Sequence, residues 1–125
     1  MAIKGHNIRI FGIENCENVR SAICWLKENN ITYEFFNLKL NKIDDHVFRH
    51  WLKLIDISKI INKRSKTWRN LAKKEKIMLE NPVSAVDTVT KFPLILKRPI
   101  LQINDQEIII GFSIDSYSKK FRKQK

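Results

Sequence analysis

Cysteine is scarce in this 125-residue chain: there are two, Cys16 and Cys24. On one helix, eight positions of rise would separate them by about 12 Å. That exceeds the roughly 7 Å Cα limit of a disulfide. A disulfide framework is therefore excluded, and a reducing, intracellular compartment is expected. The opening residues Met1-Ala2-Ile3-Lys4-Gly5-His6 lack the apolar stretch of a secretory signal. No apolar run approaches membrane-spanning length, so no membrane partner is expected. Glycine and proline number only three each. No low-complexity linker and no internal repeat appears, and one domain over residues 1–125 is expected.

Acidic residues are also in short supply, 13 against 24 Lys and Arg, for a formal net charge of +11. Such a balance suits an anionic substrate or a nucleic acid, or it marks a lysine-rich solvated surface. Half of the basic residues fall in three stretches, within 63–69, 73–76 and 119–125. They are spread along the chain without an interleaved aromatic ladder. The solvated-surface reading is therefore favoured over a nucleic-acid partner.

What the chain does have is a cysteine in a telling place. Arg9-Ile10-Phe11-Gly12 reads as the end of an apolar strand, Ile13-Glu14-Asn15 as a short loop, and a helix opens just after Cys16. Unpaired N–H groups and the helix dipole at such a position favour a thiolate. Cys16 is thus the candidate nucleophile. Glu14 and Glu17 flank it and oppose that effect, while Arg20, one turn along, can support it.

The remaining pattern supplies a scaffold. Residues 7–12 read as a strand. Residues 17–29 read as a helix whose apolar stripe is Val19, Ala22, Ile23 and Leu26; Cys24 lies off that stripe. Residues 32–37 read as a second strand, parallel to the first as βαβ connectivity requires. A helix capped by Asp44 or Asp45 presents Val47, Phe48, Trp51, Leu52 and Ile55, with a short continuation at Ile57, Ile60 and Ile61. Residues 62–67 read as a basic loop, after which Trp68 and Leu71 return to the core. A lysine-rich helix over about 73–80 follows, and then one opened by Pro82 with Val86 and Val89 inward. Residues 100–103 and 107–111 read as a hairpin about Asn104-Asp105-Gln106. Ser113 caps a last helix with Ile114, Tyr117 and Phe121 on one face. The expected fold class is α/β, a thioredoxin-like mixed four-stranded sheet (βαβ…ββα) with an all-helical insertion over approximately 43–93. In that arrangement a proline, typically cis, precedes the third strand near the reactive cysteine. Pro99 stands there.

Several short motifs add a likeness. Gly12-Ile13-Glu14-Asn15-Cys16-Glu17-Asn18-Val19, Thr67-Trp68-Arg69-Asn70-Leu71, Lys97-Arg98-Pro99-Ile100-Leu101 and Gly111-Phe112, in this order, resemble the ArsC/Spx-like family, most nearly its YffB subgroup. The likeness runs over residues 7–121. It implies a cytoplasmic bacterial protein and a single-cysteine, glutathione-dependent thiol reductase with no bound cofactor. It makes Cys16 the nucleophile and Arg98 and Arg64 its anion-binding arginines. Three positions depart from the family's patterns. Gly12 stands where its arsenate reductases carry a histidine, no arginine lies between Arg98 and Arg122, and Val19 replaces the second cysteine of a C-x-x-C switch. The resemblance therefore points away from arsenate and excludes an intramolecular switch at position 19.

On the residues themselves, Arg98 beside a lone thiol suits a carboxylate or oxyanion, which its planar fork can grip with two hydrogen bonds. Asn15, Arg20, Trp68 and Pro99 are the further substrate- or glutathione-binding candidates: Trp68 as a wall of the cleft, Pro99 through backbone groups that can pair with an extended peptide. His46 and His50 have a helical metal-pair spacing but no evident third ligand, so no metal is expected. The alternative readings are an Spx-like regulator binding RNA polymerase, an arsenate reductase and, on net charge alone, a basic nucleic-acid binder with salt-dependent DNA affinity.

Overall fold

The computed structural model describes residues 7–122. The expectations for the first six residues and for the lysine-rich end beyond residue 122 lie outside them. The described residues form two compact units: residues up to Asn37 together with those from Arg98 onward, and Leu38–Lys97 between them.

The first unit is built on a four-stranded sheet. Strands β1 (Ile8–Gly12), β2 (Glu34–Asn37), β3 (Ile100–Ile103) and β4 (Glu107–Ile110) lie in the order β2-β1-β3-β4. β1 pairs parallel with β2 and antiparallel with β3, and β3 pairs antiparallel with β4. This is the expected thioredoxin-like mixed sheet. β2 starts two residues later than the pattern suggested. Side-chain alternation places Ile8 and Ile10 on one face of β1 and Arg9 and Phe11 on the other. Ile8 and Ile10 join Leu101, Ile103, Ala22, Leu26, Tyr117 and Phe121 in a buried cluster. On the opposite face Phe11 lies against Phe36 with ring centroids 5.1 Å apart, and Arg9 bonds its register partner Glu34 at 3.1 Å.

Two helices complete this unit. α1 (Glu17–Glu28) buries Val19, Ala22 and Leu26, three of the four residues assigned to its stripe. It ends where Asn30 takes a left-handed φ of 58°, a conformation asparagine tolerates better than most residues. Asn104 and Asp105 do the same at the hairpin tip, with φ of 57° and 63°. The last helix (Ile114–Arg122) is capped as expected, its Ser116 N–H donating to Ser113 Oγ at 3.0 Å. It turns Tyr117 and Phe121 inward, where Trp25 and Phe112 pack edge-on to Tyr117. Ile114, assigned to that face, is instead 64% exposed, because it opens the helix before the inward stripe begins.

The second unit is all helical: α2 (Asp45–Leu54), α3 (Ile57–Ile60), α4 (Lys66–Arg69), α5 (Lys73–Met78) and α6 (Pro82–Lys91), then a 3₁₀ turn at Pro93–Ile95; the helix from Ile114 is α7. Its core draws on Phe48 and Trp51 of α2 and on Ala85, Val86 and Val89 of α6. Those two helices pack together, and Thr90 donates to Asp45 across them at 3.1 Å. Val47, Leu52 and Ile55 are only half-buried. The Asn62 N–H donates to Ile95 O at 2.7 Å, and the Lys97 N–H to Ile60 O at 2.9 Å, tying the segment after the 3₁₀ turn to the end of α3. The segment read as a basic loop contains a helical turn, α4. Ser65 Oγ caps it by accepting the Trp68 N–H at 3.0 Å. Four residues are too few to carry a periodicity, so the cap was the only available signal.

Two local features make predictions. The buried Tyr117 hydroxyl has no hydrogen-bond partner among the described residues, and burial holds its pKa well above the ordinary value. Tyr117→Phe should leave stability unchanged or raise it by about 1 kcal/mol in denaturant unfolding, since an unsatisfied buried hydroxyl costs about that much; a clear loss would reveal a partner. At α3, Asp56 accepts from the Ser58 hydroxyl and from its N–H, which together hold its carboxyl below the usual value. That stabilisation is present above the ordinary aspartate range and is lost as pH falls through the depressed pKa. Ser58→Ala should move the Asp56 carboxyl titration, followed by NMR, upward; no movement would dismiss the bond.

Candidate functional site

Cys16 is the N-cap residue of α1, with extended backbone (φ −104°, ψ 123°). Its carbonyl accepts the Arg20 N–H at 3.0 Å and so closes the first helical turn. Its side chain makes no capping hydrogen bond and is half-buried. The sulfur therefore sits at the unsatisfied N–H end of a twelve-residue helix without being consumed as a cap. Cys24 is free as well, but exposed on the helix surface.

The placement of Cys16 follows from a tight contact. A Cβ on Gly12 would stand 2.6 Å from Val19 Cγ2 and 3.0 Å from Cγ1. Real Cβ atoms do not approach that closely, so only glycine lets the first turn of α1 settle against the end of β1. Val19 is fully buried there. The residues between Gly12 and α1 are consequently a short connection that delivers Cys16 at the carboxyl end of the central strand. A histidine at position 12 would have to displace Val19. The departure noted in the sequence thus has a steric basis.

The other side of this strand end is formed by β3. The register pairs Phe11 with Ile100; continued by one step, it sets Pro99 opposite Gly12. The Arg98–Pro99 peptide bond is cis, as expected of a proline in this position. Pro99 is buried, and its carbonyl accepts the Gly111 N–H at 2.8 Å. Any added strand beside Pro99 would therefore rely on other backbone groups. Arg98 is half-buried, while Asn15 and Arg20 are exposed on either side of Cys16 in sequence. Cys16, Asn15, Arg20, Arg98 and Pro99 all belong to the sheet-bearing unit.

Arg64 and Trp68 belong to the helical unit. Arg64 is exposed, its N–H donating to Asn62 Oδ1 at 3.0 Å. Trp68 is half-buried rather than a core residue, whereas Leu71 is buried as expected. Lys76 places its ammonium 4.4 Å from the Trp68 ring centroid and Lys63 places its own at 6.0 Å. Sequence reasoning missed both Val19, as the group that dictates Gly12, and the lysines on Trp68. The first lay hidden in an ordinary apolar stripe, and the second joins two stretches that are separate along the chain. Among the described residues no group of three or more His, Cys, Asp or Glu is placed to hold a metal.

A βαβ…ββα sheet with one cysteine opening its first helix and a cis-proline before its third strand defines a thioredoxin-like protein with a lone thiol site. More narrowly, the chain belongs to the ArsC family, whose model matches residues 11–120. An uncharacterized protein of Haemophilus influenzae is 31% identical over 114 residues, 91% of this chain and 98% of that protein. The global transcriptional regulator Spx 2 of Bacillus anthracis is 29% identical over 90% of this chain and 84% of its own. Among solved structures, the YFFB (PA3664) protein superposes with a TM-score of 0.82 at 26% identity, covering 90% of this chain and 97% of that one. An arsenate reductase (ArsC) related protein from Brucella melitensis gives 0.68 at 26% identity, covering 93% and 95%.

The Gly12–Val19 contact is directly testable. Gly12→Ala should cost about 1–3 kcal/mol, the usual penalty of overpacking. In a Val19→Ala background the same change should cost much less. Equal costs in both backgrounds would refute the contact.

Proposed function

We propose that this protein is a glutathione-dependent thiol–disulfide oxidoreductase in which Cys16 is the only catalytic sulfur. The observation that carries the reading is the half-buried, uncapped Cys16 at the α1 N-terminus, on a sheet end that also holds Arg98 and Pro99.

The Cys16 thiolate attacks the glutathione sulfur of a mixed disulfide formed between glutathione and a substrate thiol. A Cys16–glutathione disulfide forms, the substrate S–S bond breaks, and the departing thiolate takes a proton from water. A second glutathione, as thiolate, then attacks the bound glutathione sulfur. Oxidised glutathione leaves and the Cys16 thiolate returns. The net exchange consumes one reduced glutathione: its sulfur passes from thiol to disulfide level as the substrate sulfur passes from disulfide to thiol level. Exchange of this kind needs an accessible attacking thiolate, and Cys16 stands half-buried and uncapped at the helix start. Arg98 is assigned to a glutathione carboxylate, where its fork can make two charged hydrogen bonds. Asn15 and Arg20 border the thiol and Pro99 forms the facing wall, while Arg64 and Trp68 stand in the helical unit as separate binding candidates. Gly12 disfavours arsenate as the oxidant. A cytoplasmic setting, with its glutathione supply, fits this chemistry. No helix among the described residues is long and apolar enough to cross a membrane.

The regulator relatives favour a second reading, a protein that docks on RNA polymerase. One experiment separates the two. Glutathione-dependent turnover of a small mixed disulfide should vanish in Cys16→Ser and persist in Cys24→Ser. Arg98→Lys should lower kcat/KM about tenfold, the scale of one charged hydrogen bond. Full turnover in Cys16→Ser would overturn the enzyme reading. Retention of Cys16→Ser on RNA polymerase, with no turnover in the wild type, would establish the regulator.

A further inference from the structure

Beyond its thiol chemistry, the helical unit carries an unusual concentration of charge. Residues 57–79 contain eight Lys and Arg and a single acid, Glu75. Seven of the eleven net positive charges thus fall within 23 residues. Elsewhere the chain has sixteen basic residues against twelve acidic ones, the mixed pattern of an ordinary solvated surface. The contrast extends to pairing. The basic residues outside this segment include Arg9, Arg49, Lys119 and Lys120, each in an ion pair with a carboxylate. Within it, no cation is held in an ion pair among the described residues, and Glu75 accepts the Ala72 N–H at 3.0 Å. Lys63, Lys66, Arg69, Lys73 and Lys74 are exposed.

The fold also supplies what the linear pattern lacked. Lys63, before α4, and Lys76, on α5, both come to the ring of Trp68. Two basic stretches that are separate in sequence therefore meet at one half-exposed indole. Unpaired like charges crowded together repel one another, and a bound polyanion would relieve that repulsion. Six of the eight are lysines, which act as point charges suited to a line of phosphates rather than as forks for individual carboxylates. An accessible aromatic among such cations is the composition of a single-strand platform, where bases stack and the backbone follows the charge.

We propose that the α3–α5 segment of the helical unit binds single-stranded nucleic acid through its phosphates, with a base stacked at Trp68. This does not rest on the thiol reading. The test uses the full chain and a fluorescent twelve-nucleotide single strand, titrated by anisotropy from 50 to 200 mM salt. Binding should appear at a Kd of about 10 μM in low salt and weaken steeply as salt rises, because counterions are released. The exposed pair Lys73→Glu/Lys74→Glu, checked for fold by circular dichroism, should weaken binding and flatten the log–log salt slope by about 1.4, the share of two single-strand phosphate contacts. Trp68→Leu should cost about tenfold and Trp68→Phe much less, the signature of stacking. Absence of binding at 50 mM salt, an unchanged slope in the charge-reversed pair, or capture of polyglutamate instead of the oligonucleotide would overturn the proposal. So would equal affinity for duplex and heparin with no effect of Trp68→Leu, which would mark an unselective polyanion surface.

Discussion

The site depends on the absence of a β-carbon at Gly12. Val19 fills that space with its two γ-methyls, and its complete burial is worth on the order of 1.5–3 kcal/mol. This contact draws the first turn of α1 onto the end of the central strand. From that, the position of the helix N-terminus follows, and from the N-terminus the position of Cys16. Neighbouring strands on both sides fix β1, so the strand end itself has little freedom. A packing constraint between two apolar or side-chain-free positions thus places the Cys16 thiol. The aromatic contacts of Trp25 with Tyr117 and Phe121 hold the far half of the same helix.

Much of this was legible in the sequence because the patterns involved are local. The Val19–Ala22–Leu26 stripe, the Asn104-Asp105 turn and the proline before β3 each declare themselves within a few residues. Their order along the chain determines the sheet topology, since βαβ and hairpin connections leave few alternatives. What escaped was either too short or too distant. α4 has four residues and no periodicity to read. Ile114 follows the helical spacing, yet it stands one turn ahead of the inward face. The approach of Lys63 and Lys76 to Trp68 depends on the turn between α4 and α5, which no linear pattern records. The placement of Cys16 at the start of α1 was legible. Its steric cause was not, because a glycine before a loop has many ordinary explanations.

The two units divide the chemistry. The sheet-bearing unit owns both cysteines, Arg98 and Pro99, and its ion pairs join Arg9 to Glu34 across strands, Lys119 to Asp115 within α7, and Lys120 to Glu107. The helical unit owns the unpaired basic segment and the accessible indole. ArsC-family relatives include proteins named as arsenate-reductase-related and others named as transcriptional regulators. A fold that keeps its thiol and its charged surface on separate elements can vary one without disturbing the other, which gives that range a physical basis.

The central claim is that Cys16, and no other sulfur, cycles with glutathione. Intact-mass spectrometry with peptide mapping, after incubation with oxidised glutathione and then with excess reduced glutathione, tests it most directly. The account predicts one glutathione added at Cys16 and then fully released. Modification of Cys24 in preference to Cys16, or a Cys16 adduct that reduced glutathione cannot remove, would contradict it.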